Sequence, residues 1–305
     1  MAAKYAPAPT RSPLTEAYGV WMRDHRGLAA ETIRIAMPVI GALLFTVADD
    51  PVRLDAAAVR QFVLEYIQCH ATASAGLVTS VVRCFLRWLL VEGRCSIDLT
   101  GAVPKVPTWR LTKLPQYLAD SDVERIIEAC DRPGGMAQRD RAMLLLLARL
   151  GLRASEVVAL RLGDLDWKQG RVRVAGKQRR ETRLPLPQDV GDAIIRYIET
   201  ERPATTTDYV FLTARAPIQV IGANGLRDVV GRLIERTGVQ APSRGTHLLR
   251  HSLATRLLRE GVTIDAIGAV LRHRDVNTTA IYAKVDVDLL RKVAQPWPGT
   301  EVSSC

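Results

Sequence analysis

The chain has 305 residues, of which 48% are apolar, and its 42 Lys+Arg against 32 Asp+Glu give a formal net charge of +10. That length and apolar content can fill the cores of two domains of ordinary size, which excludes a disordered or low-complexity chain. The five cysteines, Cys69, Cys84, Cys95, Cys130 and Cys305, are odd in number and form no C-x-x-C pair. A disulfide framework and a zinc finger are therefore excluded, and the reducing cytoplasm is the expected compartment.

The N-terminus MAAKYAPAPTRSP has no apolar signal-peptide core, and the longest apolar run, 35 to 48, contains Pro38 and is too short to span a bilayer. No membrane segment is expected. The basic balance points to a polyanionic partner such as nucleic acid. Residues 1–113 hold 13 Lys+Arg against 9 Asp+Glu, so they carry +4 of the total +10 and the remainder carries +6. Both halves are basic, which suits a duplex held by two domains better than it suits one basic tail.

In chain order, residues 14–93 repeat apolar positions at three and four, and predict four helices: LTEAYGVWMRDH, ETIRIAMPVIGALLFTVA, DAAAVRQFVLEYIQCHA and SAGLVTSVVRCFLRWLLVEG. Gly, Asp, Pro and Ser around 26–29, 49–54 and 71–75 separate them. The stretch GAVPKVPTWRLTKLPQ, 101–116, with Pro104, Pro107 and Pro115, reads as an extended linker. Helices are predicted again over 120–131, 138–150 and 155–162. A hairpin follows, RVRVAG at 171–176 and ETRLPLP at 181–187, joined by the basic turn KQRR. Further helices are expected at 188–202 and 222–238, with YVFLTA at 209–214 as a third strand or a turn. Three or four short helices cover 247–294, with a stop at Gly261 and starts at Thr263 and Asn277.

The expected fold is mainly α with a small antiparallel β-sheet. A helical N-terminal domain over 1–100 and the linker 101–116 precede a mixed α+β domain over 117–294 and a loose tail over 295–305.

Three of the five histidines, His247, His251 and His273, fall in HLLRHSLATRLL at 247–258 and LRHRDVNTTAIYAKV at 271–285. On a helix that starts near Thr246, His247 and Arg250 share a side, and the first turn offers free N–H groups to an anion. That combination fits a phosphate. Upstream, LARLGLRASEVVALRLGDLD at 147–166 places Arg153 just after a glycine at a helix junction, with Glu156 three residues on.

Taken together these blocks resemble the tyrosine recombinases, or phage integrases. The residues that carry the resemblance are Arg153 in GLRASEV, Lys177 in AGKQRRETRLPL, His247 and Arg250 in HLLRHSLAT, His273 in LRHRDVNTT and Tyr282 in AIYAKV. Its catalytic part runs from about 115 to 290, and 14–93 looks like the family's core-binding domain.

The resemblance implies a site-specific DNA recombinase that works as a multimer, such as a tetramer on two duplexes or an assembly with related recombinase subunits. Origin in a mobile element fits the same reading. Tyr282 would attack the scissile phosphate and form a 3′-phosphotyrosyl link, so rejoining needs no cofactor and no metal. A phenol has an ordinary pKa near 10, so this attack depends on positive charge around the phosphate. Arg153 and Arg250 would hold the non-bridging oxygens, His247 and His273 would add hydrogen bonds, His247 would help move the Tyr282 proton, and Lys177 would protonate the leaving 5′ oxygen. Glu156 would orient Arg153, and His251 is read as a packing or supporting residue.

One position departs from the family pattern: Arg272 stands where the family usually has glycine. The helix around 286–294 would pack either on a neighbouring subunit or on its own domain. Three rival readings differ in class. His247 and His251 have the four-residue spacing of a zinc-hydrolase helix, but Leu248 stands where that site needs a glutamate. A type IB topoisomerase uses related Arg, Lys and Tyr chemistry, and a non-catalytic DNA-binding regulator would have no use for the six residues.

Overall fold

The helix-period segments of the first hundred residues fold as that period dictates. The computed structural model describes residues 12–70, 75–106, 114–131, 136–175, 181–273, 278–279 and 281–282. Four helices, α1 (Pro13–Asp24), α2 (Ala30–Thr46), α3 (Ala56–Cys69) and α4 (Ala75–Val91), build the first unit. Their starts carry the expected chemistry. Ser12 caps α1 by accepting from the Thr15 amide, and Asp55 caps α3 by accepting from the Ala58 amide at 2.7 Å. Pro38 lies inside α2, and the helix continues through it.

One face of each helix turns inward. Tyr18 sits at the centre of this core, its ring 4.9 Å from Phe85 and 5.1 Å from Trp88. Ile40, Leu43, Leu44, Val59, Phe62, Val82 and Leu89 close around these rings.

The chain divides into two compact units, Met1–Arg110 and Leu111–Cys305, and the division point falls within the proline-rich stretch 101–116. The second unit opens with α5 (Asp120–Glu128), α6 (Ala137–Arg149) and the short α7 (Ala154–Val158). Every residue from Ala142 to Ala148 is buried, so α6 is apolar all round and forms the axis on which the unit packs.

The sheet follows with β1 (Leu165–Asp166), β2 (Arg171–Ala175) and β3 (Glu181–Pro185), antiparallel in that order, with Val172 opposite Leu184. Strict alternation puts Val172 and Val174 inside and Arg171 and Arg173 outside. Arg173 faces Arg183 across the strands, and that repulsion is offset by ion pairs from Arg173 to Asp164 and Glu181.

The third strand is thus Leu165–Asp166, and 209–214 takes a different course. That segment makes isolated bridges, Tyr209 to Arg161 and Leu212 to Val220. Side chains hold it in place: Arg202 donates to the carbonyls of Thr207, Tyr209 and Val210, and the Tyr197 hydroxyl accepts from the Leu212 amide. Buried Val210, Phe211 and Leu212 supply the apolar pattern that resembles a strand.

Helices α8 (Gln188–Thr200) and α9 (Ala223–Thr237) pack around α6, and α10 (His247–Arg259) and α11 (Ile264–Leu271) complete the unit. Thr263 caps α11 through the Ala266 amide, and Gly261 follows α10 at φ +83. The expected start at Asn277, the 286–294 helix and the 295–305 tail lie outside the described residues.

Gly151, between α6 and α7, sets how closely α10 and α11 approach. Its φ is +56, and a Cβ there would stand 2.7 Å from Leu271 Cδ2 and 3.0 Å from Leu253 Cδ2. Gly151→Ala is expected to cost about 2 kcal/mol or more, because left-handed strain adds to overpacking. Thermal melting of the variant against wild type checks this.

Candidate active site

Three segments meet at the Gly151 junction and bring the chemistry-bearing side chains with them. The junction itself ends in Arg153, which caps α7. Glu156 returns across this first turn and accepts from the Arg153 amide at 2.9 Å and from Arg153 Nη1 at 2.7 Å. Glu156 is buried, whereas the Arg153 side chain remains 37% exposed, so the carboxylate fixes the base of a guanidinium whose outer edge is open.

Helix α10 contributes His247, Arg250 and His251. Arg250 is only 4% exposed, and it donates from Nη1 to the Gly151 carbonyl and from Nη2 to the Leu271 carbonyl. The end of α11 contributes Arg272 and His273. His273 Nδ1 stands 2.8 Å from Thr279 Oγ1, and its ring lies parallel to that of Tyr282 with centroids 6.5 Å apart. Tyr282 is 1% exposed among Leu253, Ala254, Ile267 and Leu271.

The hydroxyl of Tyr282 does not meet His247. It meets His251, whose Nδ1 is 2.7 Å from Oη. Of the two readings of His251, packing or support, the contact favours support of the tyrosine. His251 follows Arg250 by one position, so it points about 100° away around the helix, and Tyr282 approaches from that side. Contact across 31 residues leaves no spacing signal, which is why the sequence did not reveal it. His247 lies beside His251, with ring centroids 6.2 Å apart.

Arg272 also takes a position that sequence did not indicate. Its backbone is left-handed, at φ 55 and ψ 44, where it closes α11 through contacts to Gly268 and Ala269. This is the conformation that favours glycine and explains the family pattern at this position. The side chain turns inward to Glu156. Arg153, His247, Arg250, His273 and Tyr282 thus share one site, and Lys177 lies outside the described residues.

A model of the phage integrase family matches residues 116–288. An integrase/recombinase of Sinorhizobium fredii is 45% identical over 289 residues, 93% of this chain and 70% of that protein. The chain belongs to the phage integrase family of tyrosine recombinases.

Tyrosine recombinase XerD of Staphylococcus epidermidis is 34% identical over 231 residues, 73% of this chain and 76% of its own. Among solved structures, the XerH site-specific recombinase bound to palindromic difH substrate, in a post-cleavage complex, shares the fold with a TM-score of 0.71 at 16% identity. The match covers 95% of this chain and 91% of that one. The Tn1549 transposon integrase with a circular intermediate DNA gives a TM-score of 0.63 at 15% identity, covering 90% and 98%.

Charge is unbalanced in this recombinase site. Among the described residues, Arg153, Arg250 and Arg272 gather around the carboxylate of Glu156. Burial pushes that carboxyl up, yet the Arg153 amide, Arg272 and the Arg153 guanidinium outweigh it and hold it below the ordinary range. Burial, with Arg153 and Arg272 nearby, lowers Arg250 to about 10, so it remains cationic at neutral pH.

The histidines respond in the same sense. Burial, then Arg250 and Arg153, lowers His247, and His273 falls to about 4 for the same leading causes. Burial, His247 and Arg250 lower His251. Burial raises Tyr282 to about 12 against the opposing pull of Arg250. At neutral pH the imidazoles are therefore neutral and the phenol keeps its proton, which lets the Tyr282 O–H donate to His251 Nδ1 in the tautomer protonated on Nε2.

These histidines bind protons more weakly folded than unfolded, so they stabilise the fold above their unfolded pKa near 6.5. That contribution is lost as pH falls from about 6.5 toward about 4, the value for His273. The melting temperature is expected to drop between pH 7 and pH 5, and His273→Gln to flatten part of that drop, as differential scanning calorimetry would show.

Proposed function

We propose that this chain cuts and rejoins double-stranded DNA at specific sites through a 3′-phosphotyrosyl intermediate, with Tyr282 as nucleophile. The observation that carries the reading is the Tyr282 hydroxyl 2.7 Å from His251 Nδ1, inside a site with more guanidinium than carboxylate. Surplus positive charge is what a phosphodiester needs, because negative charge grows on its non-bridging oxygens as the phenol oxygen attacks.

In this reading Arg153, with its open edge, receives one non-bridging oxygen, and Arg250 stabilises the charge from beneath. His247 and His273 donate to the same phosphate. The Tyr282 proton passes to His251, the Oη–P bond forms, and the bond from phosphorus to the 5′ oxygen breaks. Lys177 protonates that leaving oxygen. A 5′ hydroxyl from another strand then attacks the phosphotyrosine, and the phenol recovers its proton. Each step exchanges one phosphoester for another, so no external energy source enters.

Tyr282 is buried before the reaction, so its hydroxyl must be uncovered for DNA to reach it. The first unit, with its helical bundle, acts as the core-binding domain, and 117–294 acts as the catalytic domain. The chain works in the cytoplasm as a multimer on two duplexes, in the service of a mobile element. Among the described residues, no helix is long and apolar enough to cross a membrane.

A nicked suicide DNA duplex, incubated in EDTA and resolved on a denaturing gel, tests the reading. Wild type is expected to leave a covalent protein–DNA band and Tyr282→Phe none. His251→Gln is expected to slow the band's appearance about a hundredfold or more, the range for loss of a general base. A band that persists in Tyr282→Phe overturns the nucleophile assignment, and wild-type kinetics in His251→Gln overturn the proton route.

A further inference from the structure

Arg272 stands in a backbone conformation that suits glycine, and its side chain is nonetheless 89% buried at the site. A left-handed backbone is strained for a non-glycine residue. Its Nε–H, also buried, meets no acceptor among the described residues, a further cost. Burial takes in the guanidinium as well as the aliphatic stem, since only 11% of the side chain is exposed. Nη1 donates to the Val270 carbonyl at 3.2 Å, close by in the chain. Nη2 has two acceptors, Glu156 Oε2 at 2.9 Å and the Gly151 carbonyl at 3.4 Å.

Both acceptors belong to the phosphate-handling machinery. Glu156 Oε1 holds Arg153 Nη1, while Oε2 holds the Arg153 amide as well as Arg272. The Gly151 carbonyl accepts from Arg250 too. We propose that Arg272 is a positioning residue for strand cleavage, dividing Glu156 with Arg153 and fixing the Gly151 turn so that Arg153 and Arg250 keep their pose and their uncancelled charge.

Charge counting shows what is gained. Arg153 and Arg250 against Glu156 leave a surplus of one positive charge, and Arg272 makes it two. The phosphodiester brings one negative charge, and attack by the phenol oxygen, once its proton has left, gives a pentavalent species with two. The released proton rests on His251, so the net charge of site and phosphate is unchanged. The second negative charge gathers on the oxygens that the guanidiniums face, and Arg272, by dividing Glu156 with Arg153, strengthens that contact more in the transition state than in the ground state.

The inference rests on the recombinase reading, and the test separates the two. Arg272→Gly suits the existing backbone and removes only the side chain. It is compared with Arg272→Lys, Glu156→Gln and the double variant R272G/E156Q, by single-turnover cleavage of the nicked duplex at saturating protein and by DNA affinity.

Arg272→Gly is expected to lower the cleavage rate about tenfold, within the coupling range for residues in contact, with affinity changed less than about twofold. Arg272→Lys restores part of the rate. In the Glu156→Gln background the further loss from Arg272→Gly shrinks below about twofold, which a purely local structural role does not predict.

A wild-type rate in Arg272→Gly, a loss confined to affinity, or a full-size loss in the Glu156→Gln background overturns the assignment. A wild-type chain that leaves no covalent product overturns the recombinase reading itself.

Discussion

The buried guanidinium of Arg250 is the tie on which the second unit's chemistry depends. A charge at 4% exposure is costly unless hydrogen bonds surround it, and here the carbonyls of Gly151 and Leu271 provide them. Those two carbonyls end different elements, one before α7 and one at the close of α11. A single side chain on α10 therefore joins three segments that are far apart in sequence. Gly151 is the complement of this tie, since a Cβ there would crowd the side-chain ends of Leu271 and Leu253.

The same tie makes the site electrostatically incomplete. Carbonyl dipoles solvate Arg250 without neutralising it, and Glu156 is already shared between Arg153 and Arg272. The depressed histidines report the excess, since each of them is lowered by burial and by neighbouring positive charge. A phosphate group relieves this excess where a carboxylate from the protein does not. Stability surrendered in assembling like charges is the usual signature of a site arranged for an absent anion.

Much of this was legible in the sequence, for identifiable reasons. Helices α1–α4 follow their apolar period, and Thr263 and Gly261 mark the start of α11 and the end of α10 by side-chain and backbone chemistry that acts locally. His247 and Arg250 are readable because a helix fixes the relation of residues three apart. The contact from His251 to Tyr282 was not legible, because it spans elements and reverses the expectation that the first histidine of the block meets the tyrosine. The two-residue strand Leu165–Asp166 has too few positions to show an alternation. Residues 209–214 hold an apolar run that reads as a strand, and side-chain bonds from Arg202 and Tyr197 hold them out of the sheet. Arg272 was visible as a departure, but its inward turn depends on Glu156, 116 residues away.

The resting positions of two protons limit how the proposed attack proceeds. Tyr282 is held near 12 and His251 below the ordinary imidazole value of 6.5. Both shifts, the phenol up and the imidazole down, oppose moving the proton before attack. A free phenolate is accordingly not an economical intermediate, and the proton leaves as the Oη–P bond forms. An arriving phosphate sharpens this coupling. Its negative charge offsets the arginines that lower the histidines, so His251 becomes a better base when a phosphodiester occupies the site. The same charge makes the phenol a weaker acid, which keeps the proton transfer tied to bond formation. Before any phosphate arrives the pair holds Tyr282 as a buried, protonated phenol, so under the proposed mechanism the site's own electrostatics restrain the attack until a phosphodiester is in place.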